Sequence, residues 1–211
     1  MDKLADYYAQ RASEYEEVYA RADRRGGVEL LKRKLPELFG GRRVLEVACG
    51  TGFWTGAIAS TAASIDALDV NDEVLEIARA KKIGKVSYLR GSAYALPDFG
   101  RRHDALFAGC WWSHVPLERL DAFLLGAVAA LAPGALLVFV DNLFIPGSST
   151  AVGRVDANGN GFQLRTLKDG SRHEVLKNFP SEQDLRARTS VHGKGFQYQR
   201  LECYWLASFS A

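Results

Sequence analysis

From residue 44 to residue 141, short apolar runs alternate with stretches of helical periodicity, and this alternation constrains the chain more than any other feature. The runs cover residues 44–48, 64–70, 86–91, 104–110 and 135–141; the helical stretches between them cover 53–62, 72–82 and 117–131. Such a rhythm predicts strand–helix–strand winding of a parallel sheet. The segment Leu136-Leu137-Val138-Phe139-Val140 is wholly apolar, as befits a strand covered by helices on both faces. Pro133-Gly134 marks the turn from the last helix into that strand, because a helix must stop there and the chain reverse.

The flanks read differently. Residues 3–20 carry Leu4, Tyr7, Tyr8, Tyr15, Val18 and Tyr19 among charges, the pattern of one or two amphipathic helices. A helix over 28–39 stops at Gly40-Gly41. Residues 143–161, rich in Gly, Ser, Asn and Pro, predict an irregular excursion, and 162–179 a hairpin turning at Lys168-Asp169-Gly170. Ser181 can cap a following helix, and strands are expected at 195–201 and 203–209.

Composition narrows the partners. With 211 residues, 47% of them hydrophobic, the chain can bury one substantial core. Its 27 basic and 25 acidic side chains leave a net charge of +2, too small a field to draw the protein to nucleic acid or to a membrane surface. Cys49, Cys110 and Cys203 are odd in number and widely spaced, which fits reduced thiols, a cytoplasmic location and no metal site. The charged start Met1-Asp2-Lys3 does not read as a signal peptide, and no apolar stretch is long enough for a membrane helix.

The chemistry concentrates in Val44-Leu45-Glu46-Val47-Ala48-Cys49-Gly50-Thr51-Gly52-Phe53-Trp54, an apolar strand entering a glycine turn and then a helix. Glycines let backbone approach a ligand closely, and the helix start offers free N–H groups. Asp69 ends the next strand, where a carboxylate can accept both hydroxyls of a ribose. Turn and acid together imply an adenosine-type ligand. The next glycine falls at Gly56, so the pyrophosphate fingerprint G-x-G-x-x-G is incomplete, and Glu46 would repel a pyrophosphate. The same carboxylate complements the sulfonium and ammonium of S-adenosylmethionine.

On these residues the chain resembles the class I S-adenosylmethionine-dependent methyltransferases over nearly its whole length. Glu46–Gly52 matches their E/D-x-G-x-G-x-G motif, with Ala48 in place of the first glycine. The resemblance implies a doubly wound, Rossmann-like α/β fold with a mostly parallel seven-stranded sheet, an N-terminal helical lid and a hairpin excursion after the fifth strand. It divides a single domain, 1–211, into a lid (1–40), a donor-binding core (42–142), a substrate-side excursion (143–180) and a C-terminal helix and strands (181–211). It also implies a donor site with Glu46 at the methionine end, Asp69 and Val70 at the ribose, and Ser92 and Ala93 edging the adenine. The family usually has an acid where Ser92 stands, so the backbone N–H of Ala93 takes on that contact. Ala48, Gly50, Gly52, Trp54, Ala108 and Cys110 complete the donor site. Tyr7-Tyr8-Ala9-Gln10-Arg11-Ala12-Ser13-Glu14-Tyr15 resembles the Y-x-x-R-A-x-x-Y lid of small-molecule members, which implies donor contacts from Tyr8, Arg11 and Tyr15.

More narrowly, Trp111-Trp112-Ser113-His114-Val115-Pro116 and Leu164-Arg165-Thr166-Leu167-Lys168-Asp169-Gly170 resemble the dehydrophos phosphonate O-methyltransferase subgroup. There, basic hairpin residues hold the acid that receives the methyl, which nominates Arg165 and Lys177. A two-residue Asp-Gly loop would set Arg165 opposite Glu174 and away from Lys177; a three-residue Lys-Asp-Gly loop with a left-handed Gly170 places Arg165, His173 and Lys177 on one face. The three-residue loop is the expectation. Trp111 is the expected acceptor contact of the tryptophan pair, since one of two adjacent aromatics usually enters the core.

His114, just past the fourth strand, is the candidate catalytic residue, with orientation its main task because an ionised acceptor needs no base. It is as readily a packed histidine, and Arg165 and Lys177 are as readily solvated hairpin charges. The expected function is methylation, from S-adenosylmethionine, of an acidic oxygen on a small soluble metabolite. The alternatives are N-, O- or C-methylation of a small heteroaromatic intermediate, a non-catalytic donor-binding module, and a nicotinamide-dependent oxidoreductase. Oligomeric state is not legible.

Overall fold

In the computed structural model, which describes residues 3–100 and 102–211, the five apolar runs form a continuous parallel sheet. Met1 and Asp2, which open the expected lid, and Arg101, within the expected core, lie outside the described residues. The five strands are β1 (Arg43–Val47), β2 (Ser64–Asp69), β3 (Val86–Arg90), β4 (His103–Gly109) and β5 (Leu131–Asn142). Val44 pairs with Ile65 on one side and Ala105 on the other, both in parallel. After a long excursion β9 (Lys194–Leu201) and β10 (Tyr204–Ser210) return as an antiparallel hairpin on the β5 edge, giving the order β3-β2-β1-β4-β5-β10-β9. This is the doubly wound, Rossmann-like seven-stranded architecture. Its strand order reverses between β1 and β4, which opens a crevice at their carboxyl ends.

Successive strand residues point to opposite faces, and the core divides accordingly. Val44, Ala105, Phe107, Val138 and Val140 pack with Leu31, Leu35 and Phe39 of α3 (Ala22–Phe39), Ile58 of α4 (Thr55–Ala59) and Leu75 of α5 (Asp72–Ala80). Leu45, Leu106, Leu137 and Phe139 pack with Phe123 and Leu124 of α6 (Leu120–Ala129) and Leu185 of α7 (Glu182–Thr189). Ser181 and Asp184 form the capping box that starts α7.

Several boundaries differ from those read in the sequence. The third helix begins at Ala22, not residue 28, and runs through Gly26 and Gly27. Both glycines sit under the C-terminal hairpin: a Cβ on Gly27 would lie 2.8 Å from the Tyr204 ring, and one on Gly26 2.5 Å from the Glu202 carboxylate. Close packing, not helix ending, explains them. The helix expected over 53–62 is only α4, because Phe53 and Trp54 still belong to the glycine turn. The helix expected over 117–131 is a 3₁₀ turn at Leu117–Arg119 followed by α6. Pro133-Gly134 does not precede the fifth strand; it lies inside β5, where Gly134 takes φ +76° and the register against β4 shifts.

The lid region is α1 (Lys3–Gln10), a 3₁₀ turn at Ala12–Glu14 and the short α2 (Glu17–Ala20). In the excursion, β6 (Arg154–Val155), β7 (Gly161–Thr166) and β8 (Arg172–Leu176) form a small antiparallel sheet. The β7–β8 turn has the three-residue loop: Leu167 and Ser171 close it, Gly170 has φ +87°, and Arg165 pairs with His173.

Candidate active site

The site is built where β1, β2 and β4 end. Leaving β1, the backbone turns through three left-handed residues, Ala48 (φ +51°), Gly50 (φ +55°) and Gly52 (φ +74°). Asp69 at the end of β2 braces the turn. Its Oδ2 accepts from the Gly50 N–H (2.9 Å) and its Oδ1 from the Asn71 N–H (3.0 Å). Burial raises the Asp69 pKa, and the N–H groups of Asn71, Gly50 and Val70 oppose that rise.

Ala48 stands where a glycine would be unstrained. A left-handed alanine costs about 1–2 kcal/mol, while glycine loses about 0.5–1 kcal/mol more entropy on folding. Ala48→Gly is therefore expected to stabilise the protein by about 0.5–1 kcal/mol, raising Tm by about 1–4 °C; a fall in Tm on thermal melting would show that the turn is relaxed around alanine.

Glu46 is buried on β1 with its Oε2 lacking any hydrogen-bond donor. Burial pushes its pKa up to about 8, the Thr55 hydroxyl opposes this, and the Asp69 carboxylate adds to it. The unfolded carboxyl ionises near 4.5, so the native state binds the proton more tightly and stability declines as pH rises from about 4.5 to about 8. Glu46→Gln is expected to remove most of that decline in melts of the ligand-free protein; an unchanged slope would mean another group causes it.

Two cavities adjoin at this edge. The first, about 780 Å³, lies over the glycine turn and is lined by Ala48, Gly50, Asp69, Val70, Ser92 and Ala93 among others. The second, about 1120 Å³, lies between the lid, the end of β5 and the face of β7 and β8. Tyr8, Tyr15, Cys110 and His114 line both and form the wall between them. Cys110 holds φ +56° there.

The lid is tied down over this wall. Tyr8 Oη donates to His114 Nε2 at 2.7 Å, Asn71 Nδ2 donates to the Ala5 carbonyl at 3.0 Å, and Thr51 Oγ1 donates to Glu16 at 2.5 Å. Lys81 also pairs with Glu16 and Lys168 with Glu17. His114 Nδ1 donates to the Leu176 carbonyl (2.6 Å), which fixes the tautomer and leaves the Nε2 lone pair facing Tyr8. Burial, the Lys177 ammonium and the Arg165 guanidinium hold the His114 pKa well below 6.5, and Asp141 offsets them only partly. Burial raises the Tyr8 pKa to about 12 against the opposing charges of Arg165 and Arg11.

The second cavity is basic. Arg11, Arg21, Arg24, Arg165 and Lys177 line it with the carboxylate of Glu14, and of these cations Arg21 is paired with Asp23 and Lys177 with Asp141. Arg165 donates through Nε and Nη2 to Gln163 Oε1 (3.1 and 2.8 Å). Lys177 is no solvated hairpin charge. Its Nζ is buried and donates to Asp141 Oδ1 (2.9 Å) and Ser113 Oγ (2.5 Å).

Five of the residues expected around a donor do not line the first cavity. Arg11 faces the second, its guanidinium 5.4 Å from the Tyr15 ring centroid. Glu46 lies behind the turn. Gly52 packs away from the cavity, where a Cβ would meet the Tyr88 hydroxyl at 3.0 Å and Ala78 at 3.3 Å. Trp54 and Ala108 belong to the core, because the turn carries Trp54 past the ligand edge onto Gly109 and the inward side of β4 buries Ala108. Trp111, expected at the acceptor, instead lines the first cavity beside Tyr94 (5.5 Å between ring centroids), while Trp112 enters the core against Phe139 and Trp205. Residues not singled out from the sequence include Asn71 and Tyr94 on the first cavity and Arg24, Asn142, Ser148 and Gln163 on the second. Asn71, Tyr94, Asn142 and Ser148 come from loops or a strand end, Arg24 from the first turn of α3 and Gln163 from within β7, and none lies in a motif.

The first cavity fits an adenosyl cofactor: a carboxylate at the rim suits a ribose, and Val70, Val74 and Tyr94 give an apolar slot, while Glu46, outside the lining, leaves an orphaned carboxyl oxygen behind the turn whose ionised form a cationic amino acid end would favour. Fold and cavity together define a donor-binding Rossmann-like transferase. A methyltransferase-domain family model matches residues 44–134. The chain is 28% identical to DhpI in its complexes with SAH (TM-score 0.76) and with SAM and HEP (TM-score 0.78), covering 98% of this chain and 94% and 95% of those chains. It is also 32% identical, over 104 residues, to the fatty-acid O-methyltransferase of Mycolicibacterium smegmatis (48% of this chain, 37% of that protein), and 28% identical, over 144 residues, to the biotin biosynthesis bifunctional protein BioHC of Cellvibrio japonicus (64% and 28%). The aligned segments thus span roughly a third of these curated relatives' own length. The chain resembles the class I S-adenosylmethionine-dependent methyltransferases, and its cofactor is S-adenosylmethionine. No helix among the described residues is long and apolar enough to cross a membrane.

Proposed function

We propose that this protein methylates an acidic oxygen, carboxylate or phosphonate, of a small metabolite in the cytoplasm. The observation that carries this reading is the wall shared by an adenosyl-sized cavity and a basic one. The similarity to DhpI, crystallised with SAM and HEP, supports it. Residues 1–40 act as the lid, 42–142 hold the donor, 143–180 face the acceptor and 181–211 complete the sheet. Trp111 lies on the donor side and Trp112 in the core, so neither tryptophan supports the heteroaromatic alternative.

Asp69 and the turn at Ala48 and Gly50 hold the donor, with Ser92 and Ala93 at its adenine and the Glu46 charge behind its cationic end. S-adenosylmethionine held by these residues would supply an electrophilic methyl group to the acceptor oxygen and leave as S-adenosylhomocysteine. Arg165 draws the acidic group to the shared wall, and Lys177, paired with Asp141, keeps the floor beneath it in place. Tyr8, held by its hydrogen bond to His114, shapes the wall against which the oxygen is placed, and the closed lid excludes water. Alignment of this kind supplies effective molarities of about 10⁵ M or more, against about 10²–10⁴-fold from general-base help.

A neutral His114 with its proton on Nδ1 accepts hydrogen bonds but carries no charge to titrate near neutrality. His114→Ala is therefore expected to lower kcat/KM for the acceptor by about tenfold, and the wild-type profile, taken with S-adenosylmethionine saturating so that Glu46 is already ionised, to show no His114 titration between about pH 6 and 8. Abolished turnover with S-adenosylhomocysteine affinity intact would favour acid–base catalysis instead.

The direct test incubates the protein with S-adenosylmethionine and a panel of small phosphonates, carboxylates, phenols and heteroaromatic amines, reading S-adenosylhomocysteine release and product mass. Methylation confined to the acids is expected. Turnover of phenols or amines alone would reject the acidic acceptor, and tight donor binding without any turnover would mark a non-catalytic module.

A further inference from the structure

Arg24 is the group in the second cavity that methyl transfer to a single acid leaves unexplained. It sits in the first turn of α3 with 5% of its surface exposed. Its Nη1 donates to Asn142 Oδ1 at 2.6 Å and its Nη2 lies 3.4 Å from Ser148 Oγ, both neutral partners, while Nε is buried without an acceptor. Among the described residues the one carboxylate in salt-bridge reach is Asp23, 3.8 Å from Nε. That carboxylate is 41% exposed and already takes two hydrogen bonds from Arg21 (3.0 and 2.9 Å) and one from Ser148 Oγ (2.5 Å). A buried guanidinium held by neutral groups is costly unless an anion completes it.

This cluster is a second pole of the same cavity. Arg165 bonds to Gln163, and Arg24 to Asn142 and Ser148; the two arginines share no hydrogen-bond partner. The Arg165 pole adjoins Tyr8 and His114 on the shared wall. The Arg24 pole is set back behind Asn142, whose side chain lies 3.7 Å from Cys110 Sγ. Ser148, Ser149 and Thr150 line the cavity around it; Ser148 donates its proton to Asp23 and Ser149 to the Leu143 carbonyl, so the Arg24 guanidinium is the main donor to an anion there.

Resting on the acidic-acceptor reading above, we infer that the acceptor carries two acidic groups: one held at Arg165 to receive the methyl, and a distal carboxylate or phosphonate seated on the buried Arg24 beside Asn142 and Ser148. The class is a short bifunctional acid, and Arg24 is its specificity-determining residue.

Calorimetry on the full chain saturated with S-adenosylhomocysteine tests this with 3-phosphonopropionate and its longer homologues, each against the alkylphosphonate of equal carbon number. The best diacid is expected to bind about tenfold or more tightly than its monoacid, as one charge-assisted bidentate contact allows. Arg24→Gln should erase that difference and leave monoacid affinity within about twofold, with Arg24→Lys intermediate, since lysine keeps the charge but not the fork. Wild-type protein that binds diacids no better than monoacids at every length overturns the inference without any variant, and so does an Arg24→Gln loss equal for both ligands. Binding of neither class, with S-adenosylhomocysteine heat intact, rejects the acidic acceptor itself, a result distinct from equal binding of the two.

Discussion

Asp69→Ala is expected to weaken S-adenosylhomocysteine binding by about 10²–10³-fold. The carboxylate has two jobs at one place: it accepts the Gly50 and Asn71 N–H groups that shape the turn, and its remaining lone pairs face the cavity. Hydrogen bonds to a charged group contribute about 1.5–3 kcal/mol each, so loss of two toward the ribose, each near the lower end of that range, removes about 3–4 kcal/mol, and each 1.4 kcal/mol is tenfold. Asp69→Asn is no gentler, because its amide nitrogen must face either the Gly50 or the Asn71 donor. Calorimetry with S-adenosylhomocysteine measures both variants. A loss below about tenfold would show that the turn and the apolar slot hold the cofactor without the acid.

The second large effect falls on stability. Lys177 and Asp141 are 4% and 0% exposed, and Asp141 also accepts from the Ser113 and Asn142 backbones. Lys177→Met strands a buried carboxylate, which costs about 3–5 kcal/mol, or about 6–20 °C in Tm for a chain of this size. The double variant with Asp141→Asn is expected to recover most of the loss, because the stranded charge is then gone. Burial raises the Asp141 pKa, but the Lys177 ammonium and the other partners outweigh it and bring it to about 2. With the folded value depressed, the stabilisation is complete above the unfolded value near 3.8 and fades as pH falls toward 2. The gap between wild type and Lys177→Met should therefore hold between about pH 5 and 8 and narrow below about pH 4. A cost under about 1 kcal/mol would mean that water reaches the pair.

What was legible beforehand follows from local physics. The apolar runs dictated both-face burial and hence the parallel sheet, because a strand wholly apolar for five residues has no face to give to water. The glycine turn and Asp69 pointed to the edge where the first cavity lies, because left-handed backbone and a carboxylate near twenty residues on can be read from short local segments. Gly170 settled the hairpin loop, since a residue free to take φ +87° belongs at that corner. The hairpin face followed from the period of two: with that loop, Arg165, His173 and Lys177 had to share a side.

The remainder depended on contacts between segments far apart in sequence. Trp111 and Trp112 are indistinguishable as adjacent aromatics; their opposite fates come from a 3₁₀ turn that rotates one toward Tyr94 and the other into the core. Lys177 read as an acceptor contact, or else as a solvated hairpin charge; its burial against Asp141, 36 residues away, was not legible. Arg24 carried no signal at all, since the glycines after it looked like a helix boundary and proved to be the close approach of Tyr204 and Glu202. Backbone conformation and face periodicity are decided within a few residues, so a single chain displays them. Which charges are neutralised, and which are left for a ligand, is decided by burial and by partners brought in from elsewhere, and only the folded chain assembles those.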